Sequence, residues 1–166
     1  MNKPDRKFFI NNIPELKKTS AIVCDGKNYV YILDEYRILQ VSINNMSADS
    51  LNLQFYGYIE STNMKKHGAL GLAYNKKAET LATCIRNLSY RPVLQIFSKY
   101  GHLTNEVSID SCSIENRPSF CFMGSFSNSR FSNSFHSRHE MFLTDMKGGE
   151  VHVVDSQRGK CGLFWG

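Results

Sequence analysis

The chain has 166 residues, which is enough for one ordinary domain with a sizeable core. Hydrophobic residues make up 42% of it and charged residues 21%, which excludes the polar, aromatic-poor composition of disordered chains. No stretch approaches the ~20 apolar residues of a membrane span, and the charged start does not lead into the apolar run of a signal peptide. We therefore expect a cytoplasmic globular protein with no membrane contact, whose five cysteines remain mostly thiols.

The beginning of the chain and the run that follows it differ in pattern. Residues 1–20 form a basic segment with five basic and two acidic side chains, and they add at most one strand around residues 8–10. From residue 21 onward, apolar and polar residues alternate with the period of a β-strand. Leu39 and Val41, for example, share one strand face, and Gln40 lies on the other. Because no helical periodicity is sustained, the sequence predicts an all-β fold.

The alternating runs repeat three times along the chain. Strand 39–41 is matched by 94–96 and 151–153, in steps of 55 and 57 residues, and each has two β-rich runs upstream and a turn with a fourth strand downstream. Four short antiparallel strands that recur at about 50 residues are typical of β-propeller blades. We predict a β-propeller-like domain over residues 21–166 with about three four-stranded blades. Their predicted bounds are about 21–60, 68–110 and 117–166.

The third repeat and the blade count complicate this prediction. A Ser-rich insertion at residues 124–138 predicts a long loop, which suits a partner-binding or phosphorylated segment as well as a simple solvated loop. Three blades are fewer than the roughly four to eight that close a propeller. We therefore expect self-association or the remainder of a larger propeller. Because a stack of three leaves two faces open, we also expect strands 39–41 and 151–153 to meet water.

The stretch Leu-Asp-Glu-Tyr-Arg-Ile-Leu-Gln-Val at residues 33–41 resembles the NHL-repeat family. Its repeat runs through a strand ending in Asp, a short loop with Asn and Arg, and then Ile-Gln-Val-Phe and a Gly. Residues 91–101 are similar in their last half, and residues 117–119 resemble the segment that opens an NHL blade. Cys84 stands where the family usually has Asp. The resemblance implies a β-propeller that binds partners, and several NHL propellers bind single-stranded RNA on a basic face.

The middle of the chain is strongly basic. Residues 62–102 contain seven basic residues against one acidic residue, Glu79, in a chain of formal net charge +5. Lysine and arginine neutralise phosphate groups and tyrosine rings stack on bases, so the pattern predicts binding of single-stranded RNA. A solvated charged surface on one blade fits the same residues. The candidate RNA-binding residues are Lys65, Lys66, Arg86, Tyr90 and Arg91, and the segment also holds Lys76, Lys99, Tyr74 and Tyr100.

Metal binding and catalysis have weaker support in the sequence. His136, His139 and His152 lie near two aspartates in the third repeat, a combination that can bind a metal ion. His152, however, falls in the strand column that we assign to Gln40 and Gln95, which suits an ordinary polar strand position. The chain contains neither Gly-x-Ser-x-Gly nor a Gly-x-x-x-x-Gly-Lys loop.

These patterns predict a non-catalytic propeller-type binding module. We expect a protein-interaction scaffold with protein partners and no cofactor, which binds single-stranded RNA through its basic middle blade. The alternative that the resemblance implies is a metal-dependent lyase or hydrolase of the propeller type. In such enzymes the metal ligands come from several blades around a closed channel.

Overall fold

The structure, a computed structural model, describes residues 7–11, 13–47, 50–76, 78–85, 92–109, 123–125, 140–145 and 149–165. These residues form thirteen strands and one short helix, which confirms the prediction of an all-β fold. The strands group into three sheets, each built from strands that follow one another along the chain. Within this described part, no helix is both long and apolar enough to cross a membrane.

The first sheet has the strand order β1-β5-β4-β3-β2. Its strands are β1 (Lys7–Asn11), β2 (Thr19–Cys24), β3 (Tyr29–Asp34), β4 (Arg37–Ser47) and β5 (Ser50–Ile59). The pair β1 and β5 is parallel, and the other neighbours are antiparallel. A six-residue helix, α1 (Thr62–His67), follows β5 and leads into the second sheet.

The second and third sheets are antiparallel, and each has its four strands in chain order. The second sheet contains β6 (Ala69–Asn75), β7 (Thr80–Ile85), β8 (Val93–Ser98) and β9 (Leu103–Ser108). The third sheet contains β10 (Met123–Ser125), β11 (Glu140–Asp145), β12 (Glu150–Asp155) and β13 (Cys161–Trp165). Most of the Ser-rich insertion lies outside the described residues.

The second sheet lies between the other two and buries apolar side chains on both of its faces. One face contributes Ala69, Leu72, Leu81 and Phe97 to a core shared with Tyr31, Leu33, Ile38 and Ile59 of the first sheet. The opposite face contributes Leu70, Ala82, Cys84 and Leu94 to a core shared with Met141, Leu143 and Val154 of the third sheet. Full burial of one such large side chain contributes about 1.5–3 kcal/mol, so these two cores supply most of the packing energy.

At both interfaces between sheets a side-chain amide donates to the turn after the third strand of the next repeat, although the two donors lie on different strands of their repeats. Gln40 Nε2 on β4 donates to the carbonyl oxygen of Lys99, 3.4 Å away, in the turn that follows β8. Asn105 Nδ2 on β9 donates to the carbonyl oxygen of Ser156, 3.3 Å away, in the turn that follows β12. The first strands of the sheets are also neighbours, because β6 contacts both β2 and β10. The step from the first sheet to the second therefore resembles the step from the second to the third.

Residues 13–18, which we call the N-terminal strap, run past the end of the β3–β4 hairpin in the first sheet. The strap connects β1 and β2, which lie at opposite edges of that sheet. The backbone N–H groups of Lys17 and Lys18 donate to Asp34 Oδ1 at 3.0 and 2.6 Å. The guanidinium of Arg37 lies 3.3 Å from the other carboxylate oxygen of Asp34. Asp34 is 2% exposed, so a buried carboxylate anchors the strap.

The burial of β4 corrects one expectation about open faces. Leu39 and Val41 lie on the outer face of the first sheet and are only 0% and 1% exposed, so the prediction that this strand meets water is wrong. Gln40, on the opposite face, is turned toward the second sheet. In the third sheet His152 is 2% exposed and Val153 is half-buried. The predicted exposure failed because an alternating pattern cannot show which face of a strand the rest of the chain covers.

Candidate functional site

Two of the five predicted RNA-binding residues, Lys65 and Lys66, lie on α1. Ser61 caps this helix, because its hydroxyl oxygen accepts a hydrogen bond from the Met64 N–H at 3.0 Å. Met64 is fully buried, whereas both lysines are exposed. The helix contacts β7, and the N–H of Ala69 just after it donates to a carbonyl oxygen of the turn between β3 and β4. We call this side of the sheets the helix end.

The other three predicted residues, Arg86, Tyr90 and Arg91, lie outside the described residues. They belong to the connection between β7 and β8, whose flanking residues Ile85 and Val93 pair with each other. Ile85 also pairs with Ala69, the first residue after the α1 connection. The topology therefore starts and ends this connection at the helix end of the second sheet.

The two helix-end lysines differ in their electrostatic surroundings. Lys65 Nζ lies 2.5 Å from Glu60 Oε2, and its side chain is 60% exposed. Lys66 forms no ion pair with any described residue. Both occupy the last turn of α1, where basic side chains interact favourably with the helix dipole. Among the described residues, Lys66 is thus a cation without an ion-pair partner. An anionic ligand that binds Lys65 must compete with Glu60 for the same ammonium group.

The remaining lysines and tyrosines of the basic segment lie at the opposite end of the sheets. Lys76 lies in the turn after β6, and Lys99 and Tyr100 lie in the turn after β8. The N–H of Lys99 donates to the carbonyl oxygen of Glu79 at 3.1 Å, which ties these two turns together. The first sheet adds tyrosines to the same region. We call the tyrosine cluster the set of Tyr29, Tyr31, Tyr56, Tyr74 and Tyr100.

Four rings of the tyrosine cluster, those of Tyr29, Tyr31, Tyr56 and Tyr74, contact one another across the junction of the first and second sheets. Tyr31 stacks on Tyr74 with ring centroids 5.7 Å apart and planes inclined by 15°. Tyr29 meets the ring of Tyr56 edge to face at 5.4 Å, and its centroid lies 6.3 Å from that of Tyr31. Tyr56 and Tyr100 are 64% and 72% exposed. The ring contacts therefore continue from the buried Tyr31 to the exposed ring of Tyr56, and the exposed ring of Tyr100 lies nearby beside Lys99.

Tyr31 is the most buried member of the cluster. It is 0% exposed, and its hydroxyl group has no hydrogen-bond partner among the described residues. Burial, followed by the neighbouring Tyr74 and Asp25, raises the pKa of Tyr31. Burial also raises the pKa of Tyr74, with added effects of Asp25 and Glu79. The neutral phenol is thus strongly favoured at these two positions.

Glu79 organises the cations beside the tyrosine cluster. Its carboxylate lies 2.5 Å from Lys99 Nζ and 3.4 Å from Lys27 Nζ. The hydrogen bond that Lys99 donates to Glu79, together with the charge of Lys99, lowers the pKa of Glu79, and the same hydrogen bond raises the pKa of Lys99. The same Lys99 ammonium lies 5.3 Å from the centroid of the Tyr100 ring. One carboxylate is therefore shared by two lysines beside an exposed ring.

The turn between β2 and β3 supplies the first-sheet side of this region. Asp25 Oδ1 accepts the backbone N–H groups of Lys27 and Tyr29 at 2.8 and 3.0 Å, so its carboxylate is used to hold the turn. A Cβ atom at Gly26 would lie 3.2 Å from Lys76 Nζ, which places that ammonium group over the turn. Lys76 forms no ion pair within the described part of the chain.

The other candidate positions do not assemble into a metal or thiol site. Among the described residues, no three His, Cys, Asp or Glu side chains are grouped to hold a metal ion. His152 Nε2 lies 3.0 Å from Glu150 Oε2, whereas His136 and His139 lie outside the described residues. Cys24 and Cys84 are free thiols, as expected, but Cys161 is disulfide-bonded.

The first-sheet tyrosines were not among the predicted site residues. Tyr29 and Tyr31 are two residues apart, so they share one face of a strand. The Asp-Gly turn just before them was the available signal that this face lies near a loop. The chain matches no known protein family, and it matches no curated protein. The geometry alone thus defines the candidate site, which consists of two basic regions, one at each end of the second sheet.

Proposed function

We propose that the chain is a β-propeller-type binding module, a non-catalytic interaction scaffold whose sheets act as blades. The observation that carries this proposal is the repeated packing step between successive sheets. A side-chain amide of each sheet donates to the equivalent turn of the next sheet, and β6 contacts both β2 and β10. Propeller blades stack in this way around a common axis. The similarity of residues 33–41 to an NHL repeat supports the same proposal.

Single-stranded RNA is the ligand that best fits the basic second sheet. Lys65 and Lys66 project from α1 as exposed cations, and the connection that carries Arg86, Tyr90 and Arg91 starts and ends beside them. Several lysines and arginines on one blade neutralise successive phosphates, and this neutralisation provides much of the affinity of a protein for a nucleic acid backbone. The proposed RNA site therefore lies at the helix end of this sheet.

Fluorescence anisotropy with a short, unstructured, labelled RNA tests this site. The double substitution Lys65→Gln and Lys66→Gln should weaken binding and reduce the slope of log affinity against log salt by about two. The double substitution Lys147→Gln and Lys160→Gln removes the same charge from the third repeat and should leave both quantities nearly unchanged. Equal effects of the two pairs, or no binding of the native chain at low salt, would refute the helix-end site.

A protein partner or a second copy is expected to dock on the third sheet rather than on the first. Leu39 and Val41 on the outer face of the first sheet are buried, whereas Phe142, Val151 and Val153 on the third sheet remain half-buried. Light scattering at increasing concentration measures this association. The substitution Val153→Lys should lower the apparent mass, and Ile22→Lys, at an already exposed position of the first sheet, should not. A native chain that remains a 19 kDa monomer excludes self-association.

A further inference from the structure

We propose that the tyrosine cluster is a second RNA-binding site, at which Tyr56 and Tyr100 stack on bases while Lys27 and Lys76 bind phosphate. This inference depends on the proposal that the module binds single-stranded RNA. It adds a contact region at the end of the sheets opposite Lys65 and Lys66.

The exposure of two rings is the first argument. Tyr56 and Tyr100, at 64% and 72%, are the most exposed aromatic side chains among the described residues. Neither ring is isolated, because Tyr56 is held edge to face by Tyr29 and Tyr100 lies beside the Lys99 ammonium. An exposed ring held by its neighbours offers a stacking surface at a low cost in conformational entropy.

The arrangement of charge is the second argument. Lys27, Lys76 and Lys99 surround the cluster, and Glu79 is the acceptor that two of them share. The 3.4 Å separation between Lys27 and Glu79 is longer than the 2.5 Å separation between Lys99 and Glu79, and Lys27 is 71% exposed. Lys27 can therefore turn toward a phosphate while Lys99 keeps Glu79 neutralised. Lys76 is already unpaired among the described residues.

The unpartnered hydroxyl of Tyr31 is the third argument. Buried polar groups in folded proteins nearly always have a partner, and one that lacks it often marks a place where a ligand or water binds. The ring of Tyr31 lies next to the rings of Tyr29 and Tyr74, and the charges of Asp25 and Glu79 help to raise the pKa of Tyr31. Because Tyr31 is 0% exposed, a base cannot reach its hydroxyl, and a buried water beneath the surface rings would supply the missing partner.

The pairing of rings with free ammonium groups favours a nucleic acid strand over a proline-rich peptide. Both ligands use aromatic surfaces, but only the nucleic acid places a phosphate beside every stacked base. Lys27 and Lys76 lie beside the cluster and would face that phosphate. For a proline-rich peptide these cations would have no role.

Substitution of the exposed rings is the direct test, with the same labelled RNA and the full chain. Tyr56→Ala and Tyr100→Ala should each weaken binding about tenfold, because stacking on one ring contributes about that factor. Tyr58→Ala removes another exposed tyrosine, on the outer face of the first sheet, and should have no effect on RNA affinity. Circular dichroism of each variant verifies that the β-fold is retained.

Inorganic polyphosphate, a polyanion without bases, separates stacking from charge. Tyr56→Ala and Tyr100→Ala should leave polyphosphate binding unchanged. The double substitution of Lys27→Gln and Lys76→Gln should weaken the binding of both polyphosphate and RNA. Glu79→Gln should tighten RNA binding several-fold, because it releases two lysines without removing any ring. A gain of affinity cannot arise from misfolding.

The outcomes distinguish this inference from the proposed function. If the native chain binds no RNA, both proposals fail. If RNA binding depends on Lys65 and Lys66 but is unchanged by Tyr56→Ala and Tyr100→Ala, only the tyrosine site is refuted. If the tyrosine variants lose binding to a proline-rich peptide while RNA affinity stays constant, the cluster is a peptide site and this inference is wrong.

Discussion

A Cβ atom at Gly159 would lie only 2.3 Å from the carbonyl oxygen of Ser108, so the turn after β12 packs on the end of β9 through a position that admits no side chain. Gly159 also has a φ of 68°, in the left-handed region that favours glycine. Gly101 holds the corresponding place one sheet earlier, where a Cβ would lie 3.0 Å from Ile59. The same close approach thus recurs at both interfaces between sheets.

The substitution Gly159→Ala should therefore destabilise the fold by about 2–4 kcal/mol, because it adds a backbone clash to the strain of a positive φ. Gly149 is the matched control. It has a φ of 69° but nothing within 4 Å of its Cβ position, so Gly149→Ala should cost only the backbone strain, about 1 kcal/mol. Urea denaturation midpoints measure both. Equal losses for the two variants would show that the contact with Ser108 is not tight.

The anchoring of the N-terminal strap by Asp34 gives a second prediction. Asp34→Ala should remove about 2–4 kcal/mol, because two backbone N–H groups and the Arg37 guanidinium lose a buried acceptor. Asp34→Asn retains an acceptor oxygen and should lose less. In Asp34→Ala the strap is no longer anchored, so trypsin should cut it faster after Lys17 and Lys18 than in the native chain. Unchanged cleavage in Asp34→Ala would contradict the anchoring role of this carboxylate.

The all-β fold and the positions of the strands could be predicted because their signals are local. Alternation with a period of two, bounded by turn residues, requires no knowledge of distant parts of the chain. The predicted fourth strands at about 51–58 and 103–109 agree with β5 (Ser50–Ile59) and β9 (Leu103–Ser108). The helix α1 was missed because six residues are too few to show helical periodicity.

The alignment of the first repeat was wrong by one residue. Gln40 pairs with Tyr31 and faces the second sheet, whereas Gln95 pairs with Thr83 and faces the first. Counting from the hairpin pairs, Leu39 rather than Gln40 corresponds to Gln95 and His152. A shift of one residue exchanges the faces of a strand, and the pattern apolar-polar-apolar cannot reveal which face is covered. The tyrosine cluster was missed for a related reason, since its rings meet only when two sheets pack.

The buried Gln95 provides a third prediction. It is 0% exposed, its Oε1 accepts the Ser61 hydroxyl at 2.6 Å, and its Nε2 donates to Glu106 Oε2 at 2.5 Å. Ser61→Ala removes this bond together with the cap of α1, and it should cost about 1–3 kcal/mol. Thr62→Ala, at the adjacent exposed hydroxyl, should change stability by less than about 0.5 kcal/mol. Thermal unfolding of the two variants compares them, and similar melting temperatures would refute the role of Ser61.

The tyrosine cluster predicts how stability depends on alkaline pH. Burial raises the pKa of Tyr31 and Tyr74 above the ordinary value of 10.0, so above that pH the unfolded chain loses these protons before the folded chain does. The unfolded state then binds fewer protons, and the free energy of unfolding falls as pH rises. Lys99, whose pKa Glu79 raises above 10.5, adds a loss in the same direction. Stability should therefore be level from neutral pH to about pH 9 and decline above about pH 10.

Tyr31→Phe isolates the contribution of the buried phenol. It removes the ionisable group while retaining the ring that stacks on Tyr74, so the alkaline decline should become shallower. At neutral pH the variant should be as stable as the native chain or slightly more stable, because the hydroxyl it removes has no hydrogen-bond partner among the described residues. Urea unfolding across alkaline pH measures the decline, and absorbance of the phenolate follows tyrosine ionisation directly. The chain has eight tyrosines, so the signal of Tyr31 is the difference in absorbance between the native chain and Tyr31→Phe. This difference should appear only as the chain unfolds, and an earlier difference would show that Tyr31 is accessible to solvent in the folded state.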